Sequence, residues 1–307
     1  PDSGVSGASG PSRASAGAPR PAGGRLFGPL IDLHTHTTAS DGLCAPDELV
    51  SRAAAAGVTV LSVTDHDTVA GCEPAARAAA SAGVAFVPGI EITAIVDGVD
   101  VHVLGYLIDA HSQRLRSLLA GQLRSRFDRV REMVGRLASF GMMLDADAIL
   151  QPAVDDPGKA PGRPWVARAL VAAGHVRTTD EAFDRWLETK RPGFVPRHGP
   201  PPSEVFACIH EAGGVASLAH PGLLKHDEWI ARLVDDGLDA LEAYHSRHDA
   251  AATTHYLNLA KKLGRAVSGG SDYHGDQPHG RAGLGSISLP RAEFERLIRS
   301  KPAAGYT

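Results

Sequence analysis

Short apolar runs alternate with alanine-rich amphipathic stretches from residue 31 onward, and glycine usually marks the change. Ile31 to Leu33 predicts a strand. Pro46 to Ala56 predicts a helix, with proline in its first turn, Asp47 and Glu48 near its positive end, and Gly57 where a C-cap belongs. Val58 to Val63 is β-branched and almost continuously apolar, the pattern of a parallel strand covered on both faces. Residues 70 to 82 predict a second helix, closed by Gly83. A third strand over Val84 to Val87 leads through Pro88-Gly89 into Ile90-Glu91-Ile92. Ile92 to Val96 and Val99 to Tyr106 then flank Asp97-Gly98, which predicts a hairpin.

The pattern changes at Ser112. As far as Phe140, leucines recur with Phe127, Val130, Met133, Val134 and Leu137 at helical spacing among many arginines, a long helix with a solvated charged face. No strong strand pattern follows before Phe194, so residues 112 to 200 are expected to form a helical insertion capping the mouth of an α/β barrel built from 29–111 and 201–307. The alternation resumes with a helix over Ser203 to Ala212 and strands over Val215 to Ala219 and Leu238 to Ala243. A helix running to Leu263 and a strand over Ala266 to Gly270 follow.

The 307 residues, 43% of them hydrophobic, suffice for one large domain or a domain with an insertion. The glycine, alanine, serine and proline of residues 1 to 28 cannot bury enough apolar surface to offset ordering, and predict a disordered leader. A net charge of -4 argues against a broad nucleic-acid or anionic-membrane surface, and against stable binding of double-stranded DNA. Any phosphate recognition is therefore local. No run reaches the roughly 20 apolar residues of a membrane helix. The 3 cysteines, without CxxC spacing, suggest neither a disulfide framework nor a zinc knuckle, which fits a reducing cytoplasm.

The 15 histidines carry the chemistry, because many stand directly after apolar runs. His34 and His36 are two apart at the end of the first strand, where two imidazoles share a face, and Asp41 follows beyond a Thr/Ser-rich turn. His66 ends the second strand, Glu91 lies beyond the third, and the hairpin returns His102 towards Glu91. His220, the pair His245 and His248, and Asp272 with His274 follow the later strands. In α/β folds the carboxyl ends of the strands build the active site, so these residues have a physical reason to meet. Imidazole with carboxylate suits Zn, Mn or Fe. Glu91 is the natural bridge, since a carboxylate offers two oxygens.

The ordered motifs DLHTHTTASDG, LSVTDHDT, PGIEI, VHVLGY, GRPWVARALV, VASLAHPG, LEAYHSRH and SGGSDYHG resemble the PHP (polymerase and histidinol phosphatase) superfamily across residues 30 to about 290. Within it the chain is most similar to bacterial 3′,5′-nucleotide bisphosphate phosphatases and 5′→3′ exoribonucleases. The resemblance implies a distorted (β/α)7 TIM-like barrel and two or three divalent ions. It implies one ion on His34, His36, Glu91 and Asp272, a second on Asp41, His66 and His274, and a third on Glu91, His102 and His220. Asp41 stands where many of these proteins use histidine, which leans towards Mn. Trp165 departs from the branch, where histidine tends to follow Gly-Arg-Pro.

The expected activity is hydrolysis of nucleotide phosphates: 3′,5′-bisphosphates, nucleoside monophosphates or the 5′ ends of short RNA, by hydroxide held at the ions. The ions bring more positive charge than Asp41, Glu91 and Asp272 offset, so the loaded site attracts phosphate. Arg163 and Arg197 are candidates to hold a second phosphate, and His245 and His248 to give a proton to the leaving group. Alternatives are a histidinol-phosphate-type phosphatase, a metal-dependent amidohydrolase, and a non-catalytic metal-stabilised binding module.

Overall fold

Pro88 and Gly89 do not end the third strand, as the sequence pattern suggests; they mark where it changes partner. In the computed structural model, which describes residues 28–156, 159, 161–275 and 283–301, β1 (Leu30–Asp32), β2 (Val58–Val63) and β3 (Ala85–Val96) run parallel, and β2 pairs with β3 as far as Pro88. From Gly89 onward β3 pairs antiparallel with β4 (Val99–Tyr106). Proline has no ladder donor, and at the handover it costs nothing. Asp97 and Gly98 join the two strands with φ of 50° and 80°, positive at both central positions as the tightest hairpin turns require.

β4 is also antiparallel to β5 (Val215–Leu218), after which β6 (Ala240–His245) and β7 (Ala266–Gly270) continue in parallel. The seven strands thus form one mixed sheet in chain order. β6 begins two residues later than expected because Leu238 still donates its N–H to the Leu233 carbonyl, 2.9 Å away, closing the preceding helix. Just past β1, Leu33 donates its N–H to the Gly269 carbonyl (3.2 Å) and Thr35 bridges to Tyr273.

Helices α1 (Pro46–Ala55) and α2 (Cys72–Ala82) pack Leu49, Val50, Ala75 and Ala79 against Leu61 and Val63. The long helix α3 (Gln113–Ala138) starts at the Ser112 cap and builds a separate core with α4 (Ala146–Asp155), α5 (Arg163–Ala172) and the short α6 (Thr179–Ala182), around Val130, Met133, Leu150, Val166 and Leu170. A π-helical turn (Phe183–Leu187) follows α6, and α7 (Pro202–Glu211), α8 (Pro221–Leu224), α9 (Asp227–Asp235), α10 (Ala250–Leu263) and α11 (Arg291–Arg299) are the remaining helices among the described residues. None of the described helices is long and apolar enough to cross a membrane. The leader expected over residues 1 to 28 lies, but for Gly28, outside the described residues.

Gly270 permits the close approach of β7 to the residues after β1. A Cβ there would lie 2.3 Å from the His34 backbone nitrogen and 2.5 Å from its Cβ. Gly270→Ala is expected to lose about 1–3 kcal/mol of stability by overpacking, together with metal content, because His34 must move. Urea unfolding and elemental analysis of the purified variant check both.

Candidate metal centre

Local backbone conformation aims the site. The chain stays extended past β1, so His34 and His36 project together, and their Nε2 atoms lie 3.1 Å apart. His220 and Asp272 both adopt positive φ, 29° and 55°, a conformation rare for residues with side chains and concentrated at functional sites. Asp65, fully enclosed, accepts from the Thr37 N–H (2.7 Å), the Thr37 hydroxyl and the Ser40 hydroxyl, and so folds the loop that carries Asp41.

The structure brings all nine expected ligands into one cluster around Glu91. Glu91 lies inside β3 and His102 inside β4, rather than at strand ends, and the antiparallel pairing still brings them together. One Glu91 oxygen, Oε1, faces His102 Nδ1 at 2.9 Å and His220 Nε2 at 3.1 Å; the other faces His66 Nδ1 at 3.1 Å and the Nε2 atoms of His34 and His36, both at 3.4 Å. Asp272 Oδ1 approaches the same two Nε2 atoms at 3.4 and 3.3 Å. Asp41 faces His274 at 3.3 Å, His36 at 3.7 Å and His66 at 3.8 Å.

These contacts fit divalent cations. His34 Nδ1 lies 2.9 Å from Glu242 Oε1 and must donate to it, which leaves the His34 Nε2 lone pair facing His36. His274 donates from Nδ1 to the Asp272 carbonyl at 2.9 Å, freeing its Nε2 towards Asp41. His36 Nδ1 and His102 Nδ1 are buried without a hydrogen-bond partner, although His102 Nδ1 is only 2.9 Å from a carboxylate oxygen. Inward lone pairs and oxygens at such distances need positive charge between them. The electrostatics agree. Burial alone would lower the His34 pKa, yet Glu242, Asp272 and Glu91 raise it well above normal. His66 is pushed down to about 3, burial being the main cause, and so stays neutral and able to ligate. Burial works against ionised Glu91, but His66, His102 and His34 hold its carboxyl well below the usual range.

Glu242 escaped sequence reasoning. In the strand expected over Leu238 to Ala243 it is one of two acids, with Asp239, and the structure buries it completely, with Oε2 accepting the His220 backbone N–H at 2.7 Å. It fixes the ring of His34 and the loop of His220. Glu242→Gln is expected to weaken metal affinity about 10–100-fold, because glutamine keeps only one of the two acceptor oxygens that hold His34 and His220 and loses the charge; competition with a metallochromic chelator measures it.

The proton-transfer candidates separate. His245 Nδ1 accepts the Arg247 N–H at 3.1 Å, which places its proton on Nε2, facing Asp272 Oδ2 at 3.4 Å. His248 has both ring nitrogens engaged with backbone: Nδ1 donates to the Ala243 carbonyl (3.0 Å) and Nε2 accepts from Gly222 (3.2 Å). Arg163 and Arg197 both line a cavity of about 740 Å³ that opens onto Asp41, His66, His102 and His274. Arg163 flanks the rings of Phe183 and Phe194, whereas Arg197 is buried in an ion pair with Asp67, which also binds Arg126.

A family model described as the PHP domain matches residues 32–159. A 5′-3′ exoribonuclease, Rnm, of Salmonella typhimurium is 34% identical over 80% of this chain and 85% of its own length. The chain belongs to the PHP family. Two further comparisons cover most of the chain. This PHP protein is 32% identical to a 3′,5′-nucleoside bisphosphate phosphatase of Chromobacterium violaceum, over 82% of this chain and 89% of the relative. A solved structure from Bifidobacterium adolescentis, described as a metal-dependent phosphoesterase, superposes with a TM-score of 0.78 at 32% identity, covering 89% of this chain and 97% of that one.

Proposed function

We propose that this PHP protein is a metal-dependent phosphoesterase that removes phosphate from small nucleotides: 3′,5′-bisphosphates, nucleoside monophosphates or the 5′ ends of short RNA. The observation that carries the reading is the cavity of about 740 Å³, whose one wall is the imidazole and carboxylate cluster and whose other wall bears Arg126, Arg129, Arg163, Arg168, Arg197 and Lys159. A ligand with a phosphate at each end suits such a site. Guanidinium groups at one end bind a phosphate that is not cleaved and orient the one that is.

His34, His36, Glu91 and Asp272 would hold one ion, Asp41, His66 and His274 a second, and Glu91, His102 and His220 a third. Mn is the first choice. Such ions supply Lewis acidity and activate water near neutral pH. Glu91 spaces the imidazoles with its two oxygens, and Asp41, the most open of the acids in the cluster, faces incoming substrate. His245 holds a proton at Nε2 and is the remaining donor for the leaving oxygen, since His248 is occupied by backbone. The sheet would curl into the distorted (β/α)7 TIM-like barrel over 29–111 and 201–307, with 112–200 as its cap. The Leu33–Gly269 hydrogen bond across the sheet edges and the shared cavity support this division. A cytoplasmic location suits the three cysteines, among which no disulfide forms.

The test is phosphate release by the Mn-loaded protein from adenosine 3′,5′-bisphosphate, AMP, histidinol phosphate and a short 5′-phosphorylated RNA. Fast turnover of the bisphosphate or RNA, abolished in Asp41→Ala with the fold intact, is expected. Silence on all four with ions bound would overturn the reading.

A further inference from the structure

The arginine-lined cavity does not end at its insertion wall. A groove of about 660 Å³ lies between α4 and α5, and Lys159, Trp165 and Arg168 line both spaces. Beyond these three the groove is apolar, walled by Met143, Leu144, Ile149, Pro152 and Ala172. Met143 is 72% exposed there, whereas Leu150 and Ala153 of α4 and Val166, Ala167 and Leu170 of α5 are buried. Asp145 also lines the groove, but its carboxylate is turned to the α4 N-terminus, where it accepts from the Asp147 and Ala148 N–H groups.

Two cations at a threshold with an aromatic ring between cavity and groove, then an apolar floor, repeat the order of groups along a single-stranded nucleotide chain: phosphate, base, and the next base. We propose that the groove between α4 and α5 is a second subsite, where the nucleotide adjoining the one at the metal cluster stacks its base on Trp165 and sets its linking phosphate against Lys159 and Arg168. The preferred substrate is then a short single-stranded oligonucleotide rather than a mononucleotide. This rests on the phosphoesterase reading above and specifies its substrate. The indole in place of the histidine that the resemblance leads one to expect offers a larger stacking face at the junction.

Chain-length preference tests it. The ratio of kcat/KM for a 5′-phosphorylated trinucleotide to that for adenosine 3′,5′-bisphosphate is measured for the wild type, Met143→Glu and Ala172→Glu. Both positions are exposed, so neither substitution burdens the fold. A carboxylate in the groove is expected to lower the ratio about tenfold, the worth of one stacked base; an unchanged ratio in both variants overturns the subsite. Stopped-flow fluorescence of the metal-loaded chain carrying Trp186→Phe and Trp229→Phe gives a reading that does not depend on turnover. The trinucleotide is expected to quench Trp165 beyond the effect of the bisphosphate, and equal quenching by the two overturns the proposal. Loss of all hydrolysis in the wild type, with the extra quenching retained, would fault the phosphoesterase reading alone.

Discussion

Glu91→Gln is expected to reduce phosphate release at least about 10³-fold, roughly 4 kcal/mol of transition-state stabilisation, and to remove at least one ion per chain. The size of the effect follows from the number of partners. Five imidazoles face the two oxygens of this fully buried side chain, at 2.9 to 3.4 Å. Glutamine keeps the shape but replaces one oxygen with a donor pair and removes the charge. His66, His102 and His34 hold that charge ionised against burial, and in return it favours cations among them. Elemental analysis of the purified variant and an assay with added Mn are the direct checks. Stability separates this loss from simple misfolding. In metal-free protein the variant should keep a cooperative thermal transition, with its midpoint lowered because His66, His102 and His34 lose the charge that balances them. Full metal content with near wild-type turnover would remove Glu91 from the centre of the site.

The cluster was legible because most of its members follow or interrupt an apolar run, and a polar residue there has few reasons to exist besides chemistry. His34, His66, His220 and Asp272 needed only the α/β alternation to bring them to one end. His102 needed the Asp97-Gly98 turn, which fixes the hairpin register and sets Thr93 opposite it. What escaped was the layer behind them. Glu242 looks like any acid near a strand end until the fold sets it against His34, and Asp65 and Asp67 flank His66, where sequence gives no sign that one turns to the Thr37 loop and the other to Arg126. The two spatial roles of His245 and His248 were equally hidden. Three residues apart, they differ because one stays in the strand and the other turns back onto backbone at Ala243 and Gly222. The exposure of the α4–α5 groove depends on how the insertion's helices pack, and periodicity alone does not specify that.

Asp67→Asn is expected to cost about 3–5 kcal/mol by urea unfolding while leaving the metal ligands in place. Asp67 accepts from the Thr93 N–H (2.8 Å), Gln122 (3.2 Å) and Arg126 Nε (3.1 Å), and it pairs with the Arg126 and Arg197 guanidinium groups. Burial opposes its charge, but Arg126 and Arg197 hold the carboxyl well below its usual range. The single carboxylate therefore compensates two cations, of which Arg197 is almost wholly buried, and it ties the loop after β2 to α3 and to the segment before α7. Asparagine accepts the positive φ of 53° at this position, so the backbone is not the cause of the loss. The loss comes from two guanidinium groups left without a counter-charge. If so, the effects cannot add: Asp67→Asn combined with Arg197→Met removes the more buried cation and should be more stable than the sum of the single changes by about 1–3 kcal/mol. Strict additivity would mean that the carboxylate acts through its hydrogen bonds to Thr93 and Gln122 instead, and that Arg197 is free to spend its charge on the phosphate in the cavity.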